Sequence, residues 1–128
     1  MSADRALIEA VREDLAAAAD PVRARQMQAY MKSAMPFHGV PAPAQRRIFT
    51  AAFAAHRLDS FEDWRDTLLA LWREATHREE RYAALDLARR RTYAKYVTLA
   101  ALPVFEEFIV TGAWWDLVDE TSRMIGAL

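Results

Sequence analysis

The segment Ser60–Trp72, with the sequence SFEDWRDTLLALW, decides the fold class. Serine at position 60 followed by Asp63 is typical of a helix start and resembles a capping box with a shorter acid. The apolar residues then recur every three or four positions, which is the spacing of one helix face; they are Phe61, Trp64, Leu68, Leu71 and Trp72. The segment therefore predicts an amphipathic helix, with Trp64 and Trp72 in the core.

The same spacing predicts helices on both sides of this segment. They cover residues 3–19, a segment opening at Pro21, another opening at Pro43, a helix from a Thr76–Glu79 capping box to about Arg90, and a helix starting at Pro103. Three prolines and a glycine exclude a helix from Pro36 to Pro43, where Gly39 is expected to supply a turn. Thr111 and Gly112 are predicted to break the chain before the last helix. No strand-like alternation is present.

Helices of roughly 12–16 residues with short connections predict antiparallel pairs stacked in an array. We therefore expect an all-α fold, a HEAT-like helical repeat array (α-solenoid), with residues 1–128 forming one domain. No polar capping helix follows residues 114–125, so an apolar face would be left at the end of the array. This predicts the N-terminal part of a longer solenoid, or self-association through the C-terminal end.

Composition excludes several classes of protein. The chain has no cysteine, which excludes disulfides and thiolate metal sites and fits a cytoplasmic location. No signal peptide is visible, and the longest mostly apolar stretch, residues 96–105, is too short to span a membrane. The histidines His38, His56 and His77 lack metal-ligand spacing, so no metal is expected. A net charge of −1 argues against a strongly basic nucleic-acid-binding protein.

The charge is nevertheless uneven along the chain. Residues 76–98 hold six basic and three acidic residues, a balance of +3, whereas residues 99–128 hold one basic and five acidic residues, a balance of −4. One interpretation is a phosphate-contacting patch; its residues are Arg89, Arg90, Arg91 and Lys95, with Arg46 and Arg47 as further candidates. The other is a solvated helix end, with cations near the C-terminal dipole.

The last predicted helix contains the candidate catalytic pair. Trp114 continues an apolar stripe, whereas Trp115 lies off that stripe and four residues before Asp119, so these two side chains share a face. An indole beside a carboxylate suits a cationic ligand, or a transition state that develops positive charge. The alternative is a partly buried tryptophan with an ordinary surface aspartate.

Several stretches, in this order, resemble the AlkD-type DNA alkylation repair glycosylases, all-helical proteins built from HEAT-like repeats. The matching stretches are Met27–Lys32, Phe37–Val40 with Pro43 and Arg46–Arg47, Leu71–Trp72, Arg78–Asp86, and Phe105–Thr111 running into Trp114–Asp119. The last stretch is the most specific, because adjacent tryptophans with two aspartates at that spacing are rare.

The resemblance implies hydrolysis of the N-glycosidic bond of N3- and N7-alkylated purines in duplex DNA, without a metal or other cofactor. It places catalysis on Trp115 and Asp119, and DNA contact on Trp115 and Tyr30. Helical spacing alone instead favours Tyr30, beside Met31, as a core residue. Family members are longer, and their later half adds an arginine and a tryptophan to the cleft, so this chain alone is expected to show little or no activity. A non-catalytic HEAT-like module that binds DNA or protein is the alternative function.

Overall fold

The computed structural model describes residues 3–112 and residue 125. Six α-helices occur in this part of the chain: α1 (Arg5–Ala17), α2 (Pro21–Met31), α3 (Ala42–Ala55), α4 (Phe61–Arg73), α5 (Arg78–Arg89) and α6 (Leu102–Gly112). Short 3-10 helices cover Arg91–Tyr96 and Leu99–Ala101. The described residues contain no strand, so the predicted all-α class is confirmed, and the packing fits a helical repeat. The predictions for Trp115 and Asp119 fall outside the described residues.

Helix α1 lies at the centre of the packing and contacts α3, α4 and α5. Its buried face is the apolar stripe that the sequence predicts: Leu7, Ile8, Val11 and Leu15. Burial of a side chain of this size contributes about 1.5–3 kcal/mol, so this one face is a major source of stability. None of the described helices is long and apolar enough to cross a lipid bilayer.

Helix α4 follows the sequence prediction closely. The Ser60 hydroxyl oxygen accepts a hydrogen bond from the backbone N–H of Asp63 at 3.0 Å, so the predicted cap is confirmed. Trp64 and Trp72 are fully buried, as expected of structural residues. The Trp72 ring also stacks on Phe108 of α6 with ring centroids 4.3 Å apart, which joins the two helices.

The predicted capping box at the start of α5 is wrong. Helix α5 begins after His77, which makes no capping hydrogen bond through its side chain. The Thr76 hydroxyl donates instead to Glu80 at 3.1 Å, and the Glu79 carboxylate is directed at a different part of the chain. The reason is burial, because a carboxylate in the interior is stabilised by several N–H donors rather than by the single one of a capping box.

The Glu79 carboxylate binds the connection between α2 and α3. It is fully buried and accepts hydrogen bonds from the backbone N–H groups of His38, Gly39 and Val40 at 2.8, 2.9 and 3.2 Å. Gly39 has a φ of +90°, and a Cβ there would lie 2.2 Å from the carbonyl oxygen of Asp20. The predicted turn at Gly39 is therefore confirmed, and the connection is clamped to α5.

Thr111 and Gly112 belong to α6, which continues to the end of the described segment, and the predicted chain break before residue 114 lies outside the described residues. The Thr111 hydroxyl donates to the carbonyl oxygen of Glu107 at 2.7 Å and accepts from Trp72 Nε1 at 2.8 Å. These contacts satisfy the hydrogen-bonding groups of the Thr111 hydroxyl. The threonine is therefore compatible with the helix.

Replacing Glu79 with glutamine should destabilise the fold by about 2–4 kcal/mol, because the buried N–H groups lose a charged acceptor and one meets an NH₂ group. Urea denaturation measures the change, and Glu13→Gln on the exposed side of α1 is the matched control. A loss no larger than that of the control would mean that the carboxylate does not hold the connection.

Candidate nucleic-acid interface

Helix α2 lies at the rim of the molecule and has no buried residue. Tyr30 on this helix is 86% exposed, so the prediction from helical spacing that it packs in the core is wrong. The N-terminal end of α2 is attached to the connection that follows the helix, because the Asp20 N–H donates to the carbonyl oxygen of His38 at 3.0 Å, and no residue of α2 is buried. Tyr30 is therefore accessible to a ligand.

A depression of about 550 Å³ lies between α2, α3 and α5. Its lining is mostly aromatic and methionine side chains, with a few polar groups at the edge: Met27, Tyr30, Met31, Phe37, Tyr82, Ala42, Gln45, Gln26 and Arg23. The amide of Gln45 is fixed, because its Nε2 donates to the carbonyl oxygen of Val40 at 2.8 Å. The wall on the α3 side is thus pre-formed.

Two further depressions follow along α3. One of about 420 Å³ is lined by Arg46, Thr50, Asp86, Arg89 and Arg90. The other, of about 350 Å³, is lined by Thr50, Phe53, Ala54, Arg57, Arg90, Thr92 and Tyr93. Thr50 and Arg90 line both depressions, so the two are continuous. We call the row of three depressions the α3 groove; α3 itself is about 21 Å long at 1.5 Å per residue.

Positive charge dominates the lining of the α3 groove. The three depressions are lined by five arginines and by one carboxylate, that of Asp86; the arginines are Arg23, Arg46, Arg57, Arg89 and Arg90. Within the described part of the chain, neither Arg46 nor Arg57 forms an ion pair. Some arginines outside the groove are paired with a carboxylate, as in Arg5–Glu74 at 2.7 Å and Arg73–Glu107 at 2.6 Å. The groove is consequently the surface best suited to an anionic ligand.

Arg90 has a different environment from the other groove arginines. Its Nε donates to Asp86 Oδ1 at 2.5 Å, and its guanidinium lies 5.3 Å from the centroid of the Phe53 ring. A half-buried cation held by a carboxylate and an aromatic face has a defined position. The Arg90 side chain therefore has a fixed position in the lining of the groove. Arg46, Arg57 and Arg89 are more exposed, so their side chains can extend towards a ligand.

The structure divides the set of predicted basic residues. Arg46, Arg89 and Arg90 meet in the α3 groove, whereas Arg47 and Arg91 are exposed but do not line these depressions. Lys95 also lies apart, with its ammonium 5.3 Å from the centroid of the Tyr96 ring. The run 89–95 is split because α5 ends at Arg89 and a 3-10 helix follows. Neighbours in sequence thus point in different directions.

Sequence reasoning missed Arg23 and Arg57. A signal for Arg57 was present, since Arg46, Thr50 and Phe53 precede it at steps of three or four along α3. This spacing places Arg46, Thr50 and Phe53 on one side of α3, and Arg57 follows just beyond the end of the helix. No comparable pattern marks Arg23, which reaches the groove through the placement of α2.

Next to the connection that Glu79 holds lies a second polar cluster. The His38 and His77 rings stack with centroids 3.8 Å apart, and both contact Glu80. Burial, together with the neighbouring His38, lowers the pKa of His77. Burial also acts to raise the pKa of Glu80, but hydrogen bonds from His38 and Thr76 and the charge of Arg12 outweigh it, so this pKa is lowered. The cluster therefore contains an ionised carboxylate beside a neutral imidazole.

The described part of the chain is all-helical and fits a helical repeat, and arginines line its α3 groove. The sequence profile of the DNA alkylation repair enzyme family matches residues 11–128, so the chain belongs to that family. Its role is accordingly in DNA repair, with DNA as its partner. No curated protein matches the chain significantly.

Replacing both Arg46 and Arg57 with glutamine should weaken binding to damaged and undamaged duplexes alike, because phosphate contacts carry no lesion information. Loss of two phosphate contacts should also make the slope of log affinity against log salt shallower by about 1.8. Fluorescence anisotropy at several salt concentrations measures both effects.

The matched control is the double variant Arg47→Gln with Arg91→Gln, which removes the same charge from outside the groove. Its salt slope should stay close to that of the unchanged protein. An equal loss of DNA affinity in the two double variants would show that DNA does not bind in the α3 groove.

Proposed function

We propose that this protein is a DNA repair glycosylase, or the N-terminal half of one, that hydrolyses the N-glycosidic bond of N3- or N7-alkylated purines in duplex DNA. The observation that carries the proposal is the exposed Tyr30 at the end of an arginine-lined groove, in a chain of the DNA alkylation repair family. A cytoplasmic location and self-association through the C-terminal end belong to the same proposal.

The α3 groove supplies the binding part of this function. Phosphates of one DNA strand advance about 3.4 Å each along the duplex axis, so a groove as long as α3 and parallel to that axis would span about six of them. Arg46, Arg57 and Arg89 would contact these phosphates and set the position of the duplex. The Tyr30 hydroxyl, which can both donate and accept, suits a backbone phosphate or sugar oxygen at the end of the groove.

The chemistry of the lesion explains why few catalytic groups are needed. Alkylation at N3 or N7 places positive charge on the purine, so the base leaves without a general acid. Cleavage gives the deoxyribose oxocarbenium character, as in other glycoside hydrolysis. A nearby carboxylate stabilises that cation and accepts a hydrogen bond from the attacking water. In this proposal, Asp119 is that carboxylate, and Trp115 contributes cation–π attraction and excludes bulk water.

The binding-module alternative has one observation in its favour. Among the residues that line the three depressions, Asp86 is the only carboxylate, and its Oδ1 accepts the hydrogen bond from Arg90 Nε. The lining of the groove therefore offers no second carboxylate for transition-state stabilisation. Catalysis thus depends on Asp119, which makes this residue the decisive one to test.

Replacing Asp119 with asparagine should lower single-turnover release of 7-methylguanine from alkylated duplex DNA by at least about 100-fold. DNA affinity should change little, because the charge acts mainly at the cationic transition state. The assay applies to this chain and to any longer form of it. Asp116→Asn, three positions away on the same predicted helix, is the matched control and should remain active.

Two outcomes would decide against the proposal in different ways. If the excision rate of the Asp119→Asn variant is within a few-fold of that of the unchanged protein, Asp119 is not the catalytic carboxylate. The second outcome concerns the unchanged protein, in this and every longer form. If it binds damaged and undamaged DNA equally and releases no base, the binding-module function is favoured.

A further inference from the structure

His38, His77 and Glu80 lie together although the first is far from the other two in sequence. His38 belongs to the connection between α2 and α3, His77 directly precedes α5, and Glu80 lies in its first turn. Glu80 and its partner His38 are nearly covered, with 2% and 9% of their side chains exposed. The His77 side chain is 33% exposed and gives the cluster an opening to solvent.

We propose that His38 Nε2, His77 Nδ1 and Glu80 Oε2 form a binding site for one divalent transition metal ion of the zinc type. The three atoms lie within 4.8 Å of one another. Two imidazoles and one carboxylate are a donor set that Zn²⁺ accepts, with water in the fourth position.

The distances fit a tetrahedral site. Glu80 Oε2 is 3.0 Å from His38 Nε2 and 3.4 Å from His77 Nδ1. In a tetrahedron, two ligand atoms at zinc bond lengths of about 2.0 Å are about 3.3 Å apart. The distances from Glu80 to the two nitrogens therefore suit a shared metal ion, although the ring orientations must change.

The surroundings of Glu80 direct one of its oxygens into the site. Its Oε1 accepts from the backbone N–H of Thr76 at 3.2 Å and lies 3.4 Å from Arg12 Nε. Its Oε2 faces both imidazoles and the Thr76 hydroxyl, which is 3.1 Å away. Such outer contacts orient a ligating carboxylate.

Metal binding requires two changes in the cluster. The ion must replace the present hydrogen bonds of the two nitrogens, His38 Nε2 to Glu80 at 3.0 Å and His77 Nδ1 to the Thr76 hydroxyl at 2.9 Å, and the rings must change their relative orientation. The two rings stack with an angle of 16° between their planes, and a metal ion prefers to lie in the plane of each ring that it binds. One ring must therefore rotate. His77 can do so because its side chain is a third exposed and makes no helix cap. The bound ion would then join the α2–α3 connection to the start of α5.

Titration of the tag-free, metal-stripped chain with ZnCl₂ tests the proposal by calorimetry. We expect saturable binding of one ion per chain, and a visible d–d spectrum typical of tetrahedral coordination when Co²⁺ is used. The melting temperature should rise with metal concentration, because the ion binds the folded state. None of these readouts depends on DNA, so their failure would leave the proposed repair function untouched.

Variants separate this site from adventitious binding. His77→Ala should weaken metal affinity at least about tenfold, whereas His56→Ala, at the end of α3 and outside the cluster, should bind as before. Arg12→Gln should tighten binding several-fold, because it removes a positive charge beside Glu80.

Circular dichroism of the metal-free His77→Ala variant checks that it is folded. No saturable binding by the unchanged chain, or equal affinity in the folded His77→Ala and His56→Ala variants, would overturn the proposal.

Discussion

The burial of one carboxylate, that of Glu79, determines where the surface features of this protein lie. Removing a carboxylate from water costs several kcal/mol, and here three backbone N–H groups of the α2–α3 connection offset that cost. Because the connection is held against α5, α2 lies at the rim, and Tyr30 is exposed. The first depression of the α3 groove and the position of His38 follow from the same contact.

Helix α3 connects the core to the binding surface. Helix α3 buries Phe49, Ala52 and Phe53, and beside this face it carries Arg46 and Thr50 into the groove, which Phe53 also lines. A helix fixed by its buried side presents charged groups at defined positions, which suits recognition of a regular backbone such as that of DNA. One rigid helix thus carries both an arginine of the groove and aromatic residues of the core.

Sequence patterns were reliable where the interaction that matters is local. The Ser60 cap and the buried tryptophans of α4 were predictable because both depend on residues three or four positions apart. Sequence patterns gave the wrong contact where a side chain binds residues distant in sequence in place of its near neighbours. Glu79 was expected to cap α5 but binds the connection between α2 and α3.

The sequence by itself determined the helical class, most helix positions and the family resemblance, because caps, periodicity and motifs are properties of neighbouring residues. Only the tertiary structure decided that Tyr30 faces solvent, that Arg46 and Arg57 share a groove with Arg89, and that His38 meets Glu80. These facts depend on how separate helices pack against one another. No local spacing encodes that packing, since a helical period shows which residues share a face but not what lies opposite.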